Sequence, residues 1–338
     1  MAVDQRSAMR NEPAVASGYD NPPPRMGFFT DTTVCIGCKA CEVACKEWNL
    51  VPEDGIDLLG MSYDNSGGLG ADTWRHVAFI EQPLPVGRQA PAFAGTPTGP
   101  SAGADAGMVR SATTSAPTGA QAHGAVADRQ PEFLGMPSTQ LPGRANGGPR
   151  EDMRWLMMSD VCKHCTHAAC LDVCPTGALF RTEFGTVVVQ EDICNGCGYC
   201  IPACPYGVID QRKGDGRAWK CTLCYDRLGA GMTPACAKAC PTESIQFGPW
   251  DELRERAQHR VDQLHELGVT EARLYGEDPG NGVGGDGAFF LLLDEPEVYG
   301  LPPDPVVTTR DLPRMWRRAG AAALAMAAAV VAAFGGAR

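Results

Sequence analysis

Sixteen cysteines constrain what this chain of 338 residues can fold into, because all of them occur in four groups of four. The first 26 residues contain no apolar run of the kind found in a secretory signal peptide. We therefore expect the thiols to bind metal rather than to form disulfides. The groups are Cys35-x2-Cys38-x2-Cys41-x3-Cys45, Cys162-x2-Cys165-x4-Cys170-x3-Cys174, Cys194-x2-Cys197-x2-Cys200-x3-Cys204 and Cys221-x2-Cys224-x11-Cys236-x3-Cys240.

The spacing within these groups suits the ligation of an iron–sulfur cubane. Thiolates two residues apart allow one tight loop to reach three irons, while the fourth iron faces away from the loop. In the ferredoxin pattern C-x2-C-x2-C-x3-C-P the last cysteine binds the other cluster of a pair. The last three groups also end in Cys-Pro, at Pro175, Pro205 and Pro241. Four groups that share clusters in pairs would use all sixteen thiols on four [4Fe–4S] clusters.

Other uses of the cysteines fit the pattern less well. Structural zinc needs only paired C-x2-C units, so a zinc-stapled interaction module without a redox role is the alternative from another class. Covalent haem needs C-x-x-C-H, but Thr166 follows Cys165. A Rieske centre uses histidine ligands. His164 and His167 are surplus once the thiols are counted, so we expect them to flank a cluster or to lie on the surface.

Composition divides the chain and excludes one class of partner. A net charge of −11 argues against a nucleic-acid surface, which needs clustered Lys and Arg. The stretch 85–150 is rich in Ala, Gly, Pro, Thr and Ser and lacks cysteine, which predicts a flexible insertion; a linker between two domains is the alternative.

The predicted segments are a flexible tail (1–26), the first cysteine group (27–84), the insertion (85–150), a ferredoxin-type domain with the other three groups (151–250), an amphipathic helix with a strand and loop extension (251–312), and a C-terminal helix (313–338).

Local patterns predict the fold class α+β, with short strands and helices in tandem bacterial-ferredoxin-like (dicluster) modules around the clusters. Alternation predicts strands at 74–82 and 187–190. Helical spacing predicts one amphipathic helix that ends at Gly268. Its expected apolar face consists of Leu253, Ala257, Val261, Leu264 and Leu267.

The C-terminal stretch 319–337 consists of nineteen uncharged residues, which is long enough to span a membrane. Eleven of the nineteen are Ala, so the drive to insert is weak, and a helix packed on a partner is the alternative. Arg314, Arg317 and Arg318 precede the stretch. If the stretch inserts, these arginines favour the cytoplasmic face for the rest of the chain.

The order and spacing of the four groups resemble those of the four-cluster iron–sulfur subunits of molybdopterin oxidoreductases. Within that set the chain is most similar to the formate dehydrogenase iron–sulfur (beta) subunit, over roughly 27–84 and 151–337. The strings that carry this resemblance are CIGCKACEVACKEWN, CNGCGYCIPACPYGV, KCTLCYDRLGAGMTPACAKACPTESIQFG and LDEPEVYGLPPDP before the terminal helix.

The resemblance implies that the first group pairs with the fourth and the second with the third. Cys197 stands where nitrate reductase relatives have Trp, so four complete clusters are expected. The implied ligand sets are Cys35, Cys38, Cys41 and Cys240; Cys45, Cys221, Cys224 and Cys236; Cys162, Cys165, Cys170 and Cys204; and Cys174, Cys194, Cys197 and Cys200.

The resemblance also implies a role and partners. The protein would be a non-catalytic electron-transfer subunit that works with a molybdopterin-containing catalytic (alpha) subunit and a membrane cytochrome b (gamma) subunit. The same arrangement of clusters could serve a sulfoxide, thiosulfate or polysulfide reductase, or a hydrogenase. We expect membrane association with the cytoplasmic face favoured, or the opposite face if the protein is exported with its partner.

Overall fold

The main sheet is built on strand β1 (Met26–Asp31), which carries an aromatic ring on each of its faces. It pairs in parallel with β10 (Ala288–Leu292) and antiparallel with β8 (Ile245–Pro249). The fourth strand, β9 (Arg273–Tyr275), pairs antiparallel with β10, so the strand order is β8-β1-β10-β9. A strand from the N-terminal region therefore lies between two strands from the C-terminal region.

The two faces of this sheet pack against different layers, because successive side chains of a strand point in opposite directions. Phe29 stacks on Phe289 with ring centroids 5.5 Å apart, and helix α7 (Trp250–Glu266) covers this face. Phe28 points to the other face and packs in a core that contains cysteines of the first and fourth groups. The sheet thus separates an ordinary apolar layer from the cysteine-bearing layer.

The remaining elements are short and mostly surround the cysteines. The structure is a computed structural model that describes residues 11–54, 63–64, 66–83 and 153–335. The other helices are α1 (Glu12–Ala16), α2 (Ala40–Asn49), α3 (Ala169–Asp172), α4 (Cys200–Ala203), α5 (Tyr225–Gly229), α6 (Ala235–Lys238) and α8 (Leu312–Gly335), with 3-10 turns at Thr32–Val34 and Pro296–Tyr299. The other strands form three two-stranded sheets, β2 (Arg75–Pro83) with β3 (Met153–Val161), β4 (Leu179–Arg181) with β5 (Val187–Val189), and β6 (Asp210–Gln211) with β7 (Ala218–Trp219).

The cysteine-bearing segments on both sides of the predicted insertion belong to one compact unit, which comprises residues 1–82 and 155–338. Of the other unit, residues 83–154, the structure describes only residues 83, 153 and 154. The predicted flexible insertion, 85–150, lies outside the described residues. Both predicted strands are observed, as β2 and β5, at nearly the expected positions.

The prediction of a flexible tail over 1–26 is wrong for the residues from Asn11 onward. Asn11 caps α1, is only 1% exposed, and donates from Nδ2 to the carbonyl oxygens of Pro23 (3.0 Å) and Glu183 (2.7 Å). Tyr19 donates its hydroxyl to the Arg181 carbonyl oxygen at 3.1 Å. These contacts fix the segment on the β4–β5 hairpin, a partner that its own composition does not reveal.

The region 251–312 is also more integrated than the predicted extension. All five residues of β10 are buried, since this strand lies inside the main sheet. In α7, Leu253, Ala257, Val261 and Leu264 are buried as expected. Leu267 is 77% exposed, because the helix ends one residue earlier and the chain turns at Gly268 with φ of +85°.

Helix α8 projects from the unit with its described side chains exposed. Its segment Arg314–Phe334 is long and apolar enough to cross a membrane, judged by length and composition. An apolar helix surface that the described residues leave uncovered needs lipid or a partner to bury it.

The two ends of α7 offer a matched test of this packing. We expect Leu253→Ala to lower the free energy of unfolding by about 2–5 kcal/mol, because it opens a cavity beneath the sheet. Leu267→Ala on the same helix should change it by less than about 0.5 kcal/mol. Guanidinium unfolding followed by circular dichroism without oxygen measures both midpoints, and equal shifts would contradict the assigned packing.

Candidate functional site

Cys35, Cys38, Cys41 and Cys240 line one cavity, with an empty volume of about 290 Å³. We call these four residues the first thiol set. The loop from Cys35 to Cys41 turns tightly at Gly37, whose φ is +64°, and an added Cβ there would lie 2.6 Å from the Phe79 ring. Only glycine suits this position, because it accepts the left-handed conformation and leaves room for the ring.

Two further cavities are lined by cysteines from the second and third groups. The larger, which we call the third cavity, has an empty volume of about 370 Å³, and its cysteines form the third thiol set: Cys162, Cys165, Cys170 and Cys204. The other measures about 310 Å³, and its cysteines form the fourth thiol set: Cys174, Cys194, Cys197 and Cys200. In both cavities three cysteines come from one group and the fourth comes from the partner group.

The second thiol set, Cys45, Cys221, Cys224 and Cys236, is brought together where α2 meets the segment that follows β7. Asn49 Nδ2 lies 3.7 Å from Cys45 Sγ and 3.8 Å from Cys224 Sγ, and so bridges two of its members. Burial raises the pKa of Cys45, and the nearby thiols Cys221, Cys236 and Cys224 raise it further. These four cysteines are therefore close enough to act on one another electrostatically.

Short helices distribute neighbouring cysteines between different sets. Each of the four C-x3-C steps supplies one thiol to one set and the other thiol to the adjoining set. Cys41 and Cys45 both lie on α2, one turn apart, so that the helix spans two sets. The other three steps are Cys170 to Cys174 at α3, Cys200 to Cys204 at α4, and Cys236 to Cys240 at α6.

The electrostatic effect of one thiol on the pKa of another indicates which sets are neighbours. Cys236 of the second set contributes to the raised pKa of Cys41 in the first, after burial. Burial and then Cys162 of the third set raise the pKa of Cys221 to about 12. Cys200 of the fourth set acts in the same direction, after burial, on the pKa of Cys170. The sets therefore follow one another in the series first, second, third, fourth.

Without metal, most of these buried thiols would keep their protons. Burial raises the pKa of Cys41 and of Cys200 to about 11 and that of Cys170 to about 12. Cys174 differs: burial raises its pKa, but hydrogen bonds from the backbone of Leu179, Thr176 and Ala178 outweigh burial and lower it. Since iron binds the thiolate, loading of the sets releases protons.

Donors for sulfur hydrogen bonds line the sets. The Leu223 amide donates to Cys221 Sγ at 3.3 Å, and the Ala218 amide donates to Cys194 Sγ at 3.4 Å. Such bonds, together with burial, set the potentials of iron–sulfur clusters.

Buried cations lie beside the thiols although the protein as a whole is acidic. Arg75 donates from Nη2 to Cys236 Sγ at 3.3 Å. Burial would lower the pKa of Arg75, but four thiols, of which Cys236 and Cys41 act most strongly, outweigh burial and raise it. Lys220 borders the third cavity and donates from Nζ to the carbonyl oxygens of Val187 and Cys221. Both side chains favour negative charge on the sets.

Of the two histidines that remained after the sixteen thiols were counted, His164 flanks a thiol set and His167 does not line any of the three cavities. His164 is 2% exposed, borders the third cavity, and accepts a hydrogen bond at Nδ1 from the Val187 amide at 3.1 Å. Burial lowers the pKa of His164 and favours its neutral form. His167 is partly buried and packs against Gly284.

Several polar residues at the sets had no signal in the sequence. Arg75 lies on β2, and Ser159, which contacts Cys41, lies on β3, and neither belongs to a cysteine group. Lys220 could have been suspected, because it directly precedes Cys221. Asn49 stands one helical turn after Cys45, a spacing that places both on one helix face.

The geometry fits a cluster better than a single ion. Among residues 11–54, 63–64, 66–83 and 153–335, no three His, Cys, Asp or Glu side chains converge as ligands of one metal ion. The cysteines of three sets instead surround cavities of about 290–370 Å³. No carboxylate of the described residues lines these three cavities, so sulfur is the only anionic donor that they offer.

Comparison with known proteins agrees with this geometry. Two family models, each described as a 4Fe–4S dicluster domain, match residues 153–250 and 34–178. The nitrate-inducible formate dehydrogenase iron–sulfur subunit of Escherichia coli (strain K12) is 33% identical over 283 residues, which are 82% of this chain and 73% of that protein. The formate dehydrogenase iron–sulfur subunit of Haemophilus influenzae is 33% identical over 282 residues, 82% of this chain and 68% of the relative.

A second class of relatives matches over a shorter length. The B subunit of the anaerobic dimethyl sulfoxide reductase of Escherichia coli (strain K12) is 30% identical over 231 residues, 68% of this chain and 76% of the relative. The tandem dicluster domains and the sixteen cysteines fit four [4Fe–4S] clusters, which confirms the predicted cofactor. The predicted resemblance is confirmed as well, and the protein belongs to the family of formate dehydrogenase iron–sulfur subunits.

Proposed function

We propose that this protein is the electron-transfer subunit of a formate dehydrogenase complex. The observation that carries the proposal is the series of four thiol sets, each drawing on two cysteine groups, in a member of this family. Iron–sulfur clusters supply one-electron transfer when they are bound. The protein contributes the spacing of the sites, their insulation from water and the polar groups around sulfur.

Each thiol set binds one [4Fe–4S] cluster in this proposal. The cavities lined by the first, third and fourth sets support the assignment, as do the contacts that join the second set. Each C-x3-C step connects the first set with the second or the third set with the fourth, so the two clusters of each pair would be held only a helical turn apart along the chain. The second and third sets adjoin through Cys221 and Cys162, which belong to one buried cluster of side chains. The modules would then form a ferredoxin-like arrangement around a series of four clusters.

The ends of the series are the places where electrons would enter and leave. Cys38 in the first set and Cys197 in the fourth are the exposed cysteines of the described residues. A large exposed side chain stands two positions from each of them: Ile36, before Cys38, is 58% exposed, and Tyr199, after Cys197, is 62% exposed. Partner proteins that cover these residues would bring their own cofactors near the terminal sets.

We assign a molybdopterin-containing catalytic subunit to one end of the series and an electron acceptor, such as a membrane cytochrome b, to the other. The exposed helix α8 supports attachment to the membrane. Arg314, Arg317 and Arg318 precede its apolar part, which favours the cytoplasmic side for the rest of the protein. Formate is favoured over a sulfoxide as the substrate of the partner, because identity to the formate dehydrogenase subunits is higher and covers more of the chain.

Metal analysis tests the cofactor content. We expect anaerobically purified protein to contain about sixteen iron atoms and about sixteen sulfides per molecule, since each of four clusters holds four of each. A zinc-stapled module would instead contain about four zinc ions and would be colourless. Zinc at that level in protein prepared without oxygen would contradict the proposal.

Two cysteines four residues apart test the ligand sets. We expect Cys240→Ala to abolish the EPR signal of the same cluster as Cys38→Ala, and Cys236→Ala to abolish that of the same cluster as Cys224→Ala. Each variant should lose about one quarter of the iron, because each cysteine serves one of four clusters. Cys236→Ala and Cys240→Ala are matched in chemistry and position. If both variants lost the signal of the same cluster, the assigned sets would be rejected.

The substrate of the partner is tested on the purified complex. Formate should reduce the clusters within the time of one catalytic turnover of the complex. EPR should then show the signals of the reduced clusters. Dimethyl sulfoxide, added to dithionite-reduced complex, should leave them unchanged. Oxidation of the reduced clusters by dimethyl sulfoxide, without reduction of the clusters by formate, would assign the protein to a sulfoxide reductase instead.

A further inference from the structure

Arg75 occupies a position between the first and second thiol sets. It lies on β2 and is 2% exposed. Its Nη2 donates to Cys236 Sγ of the second set at 3.3 Å, and its Nη1 donates to Ser159 Oγ at 3.3 Å. Ser159 Oγ in turn lies 3.2 Å from Cys41 Sγ of the first set. One guanidinium thus reaches sulfur in both sets, directly in one and through a hydroxyl in the other.

The Ser159 hydroxyl can act as a donor toward Cys41 once iron is bound. A serine hydroxyl carries a single proton and two lone pairs, and Arg75 donates to one of these lone pairs. An iron-bound Cys41 is a thiolate and has no proton to give, so its Sγ can only accept. The Ser159 hydroxyl, 3.2 Å away, then donates its proton to Cys41 Sγ as a hydrogen bond.

The charge of Arg75 is not neutralised by a carboxylate within the described part of the chain. Its other contacts are the Ser159 carbonyl oxygen at 3.1 Å and the face of the Phe28 ring, whose centroid lies 4.9 Å from Cζ. Its Nε has no hydrogen-bond partner among those residues. A buried cation of this kind is costly unless negative charge lies close by. The thiol sets can provide that charge, as thiolates on iron.

We propose that Arg75 is a positioning residue that raises the reduction potentials of both the first and the second site and links them electrostatically. The inference rests on the proposed function, since it requires clusters at these two sets. A loaded site gains one negative charge when it is reduced, so a fixed cation stabilises its reduced form more than its oxidised form. The direct donor affects the second site, and the Arg75–Ser159 chain affects the first.

Three variants separate this role from a purely structural one. Arg75→Gln removes the charge, Arg75→Lys keeps it but loses the planar fork, and Ser159→Ala removes only the link to Cys41. Lys220→Met is the matched control, since Lys220 is also 2% exposed but borders the third cavity. All are measured as the cluster-loaded complex in EPR-monitored redox titrations, with iron content determined alongside.

We expect Arg75→Gln to disfavour reduction at the first and second sites at least tenfold, which is about 59 mV for a one-electron couple. Arg75→Lys should give a smaller shift in the same direction. Ser159→Ala should lower the potential of the first site alone. Lys220→Met should leave the first site at its wild-type potential, although it removes a cation that is equally buried.

Wild-type potentials at both sites in an iron-replete Arg75→Gln variant would overturn the proposal. If that variant does not retain iron, Arg75→Lys and Ser159→Ala decide, and unchanged potentials in both overturn it. A shift at the first site in Lys220→Met would also overturn it, because any loss of packing would then have the same effect. Failure of the proposed function is distinguishable, since the wild-type protein would itself contain no clusters to titrate.

Discussion

The structure depends on thiols from distant parts of the chain meeting around shared cavities. Cys240 joins Cys35, Cys38 and Cys41, and in the main sheet β1 likewise lies between two C-terminal strands. Most elements near the cysteines are helices or strands of two to five residues, too short to be stable alone. Burial raises the pKa of many of the thiols, so their thiolate form requires bound iron. Cofactor loading and folding are therefore coupled.

Charge is the second constraint on this architecture. The protein carries a net charge of −11, and loaded thiolate clusters add negative charge in its interior. The net charge of the protein therefore does not stabilise electrons on reduced clusters. Buried cations close to the clusters do so instead. Arg75 and Lys220 are both buried beside the thiol sets, and Lys163 also lines the third cavity, where Asp160 pairs with it. An acidic protein can in this way keep favourable potentials along its interior.

The cysteine pattern carried most of the functional prediction, because ligand spacing follows from the geometry of the cofactor. The family and the cofactor were predictable for that reason, while hydrophobic periodicity predicted β2, β5 and the buried face of α7. Residues whose role depends on distant partners were not predictable. Arg75 acts on Ser159, 84 positions away, and Asn11 binds Glu183, 172 positions away. Neither neighbourhood contains a local motif, so composition alone made residues 11–26 look like a free tail.

The position of Cys240 has a consequence for biosynthesis. The loop at Cys35–Cys41 leaves the ribosome before Cys240, the residue that completes its cavity and that is made about two hundred positions later. A nascent chain therefore displays an open three-thiol loop until Cys240 has been synthesised. The cavity that these three thiols line can close only after that point.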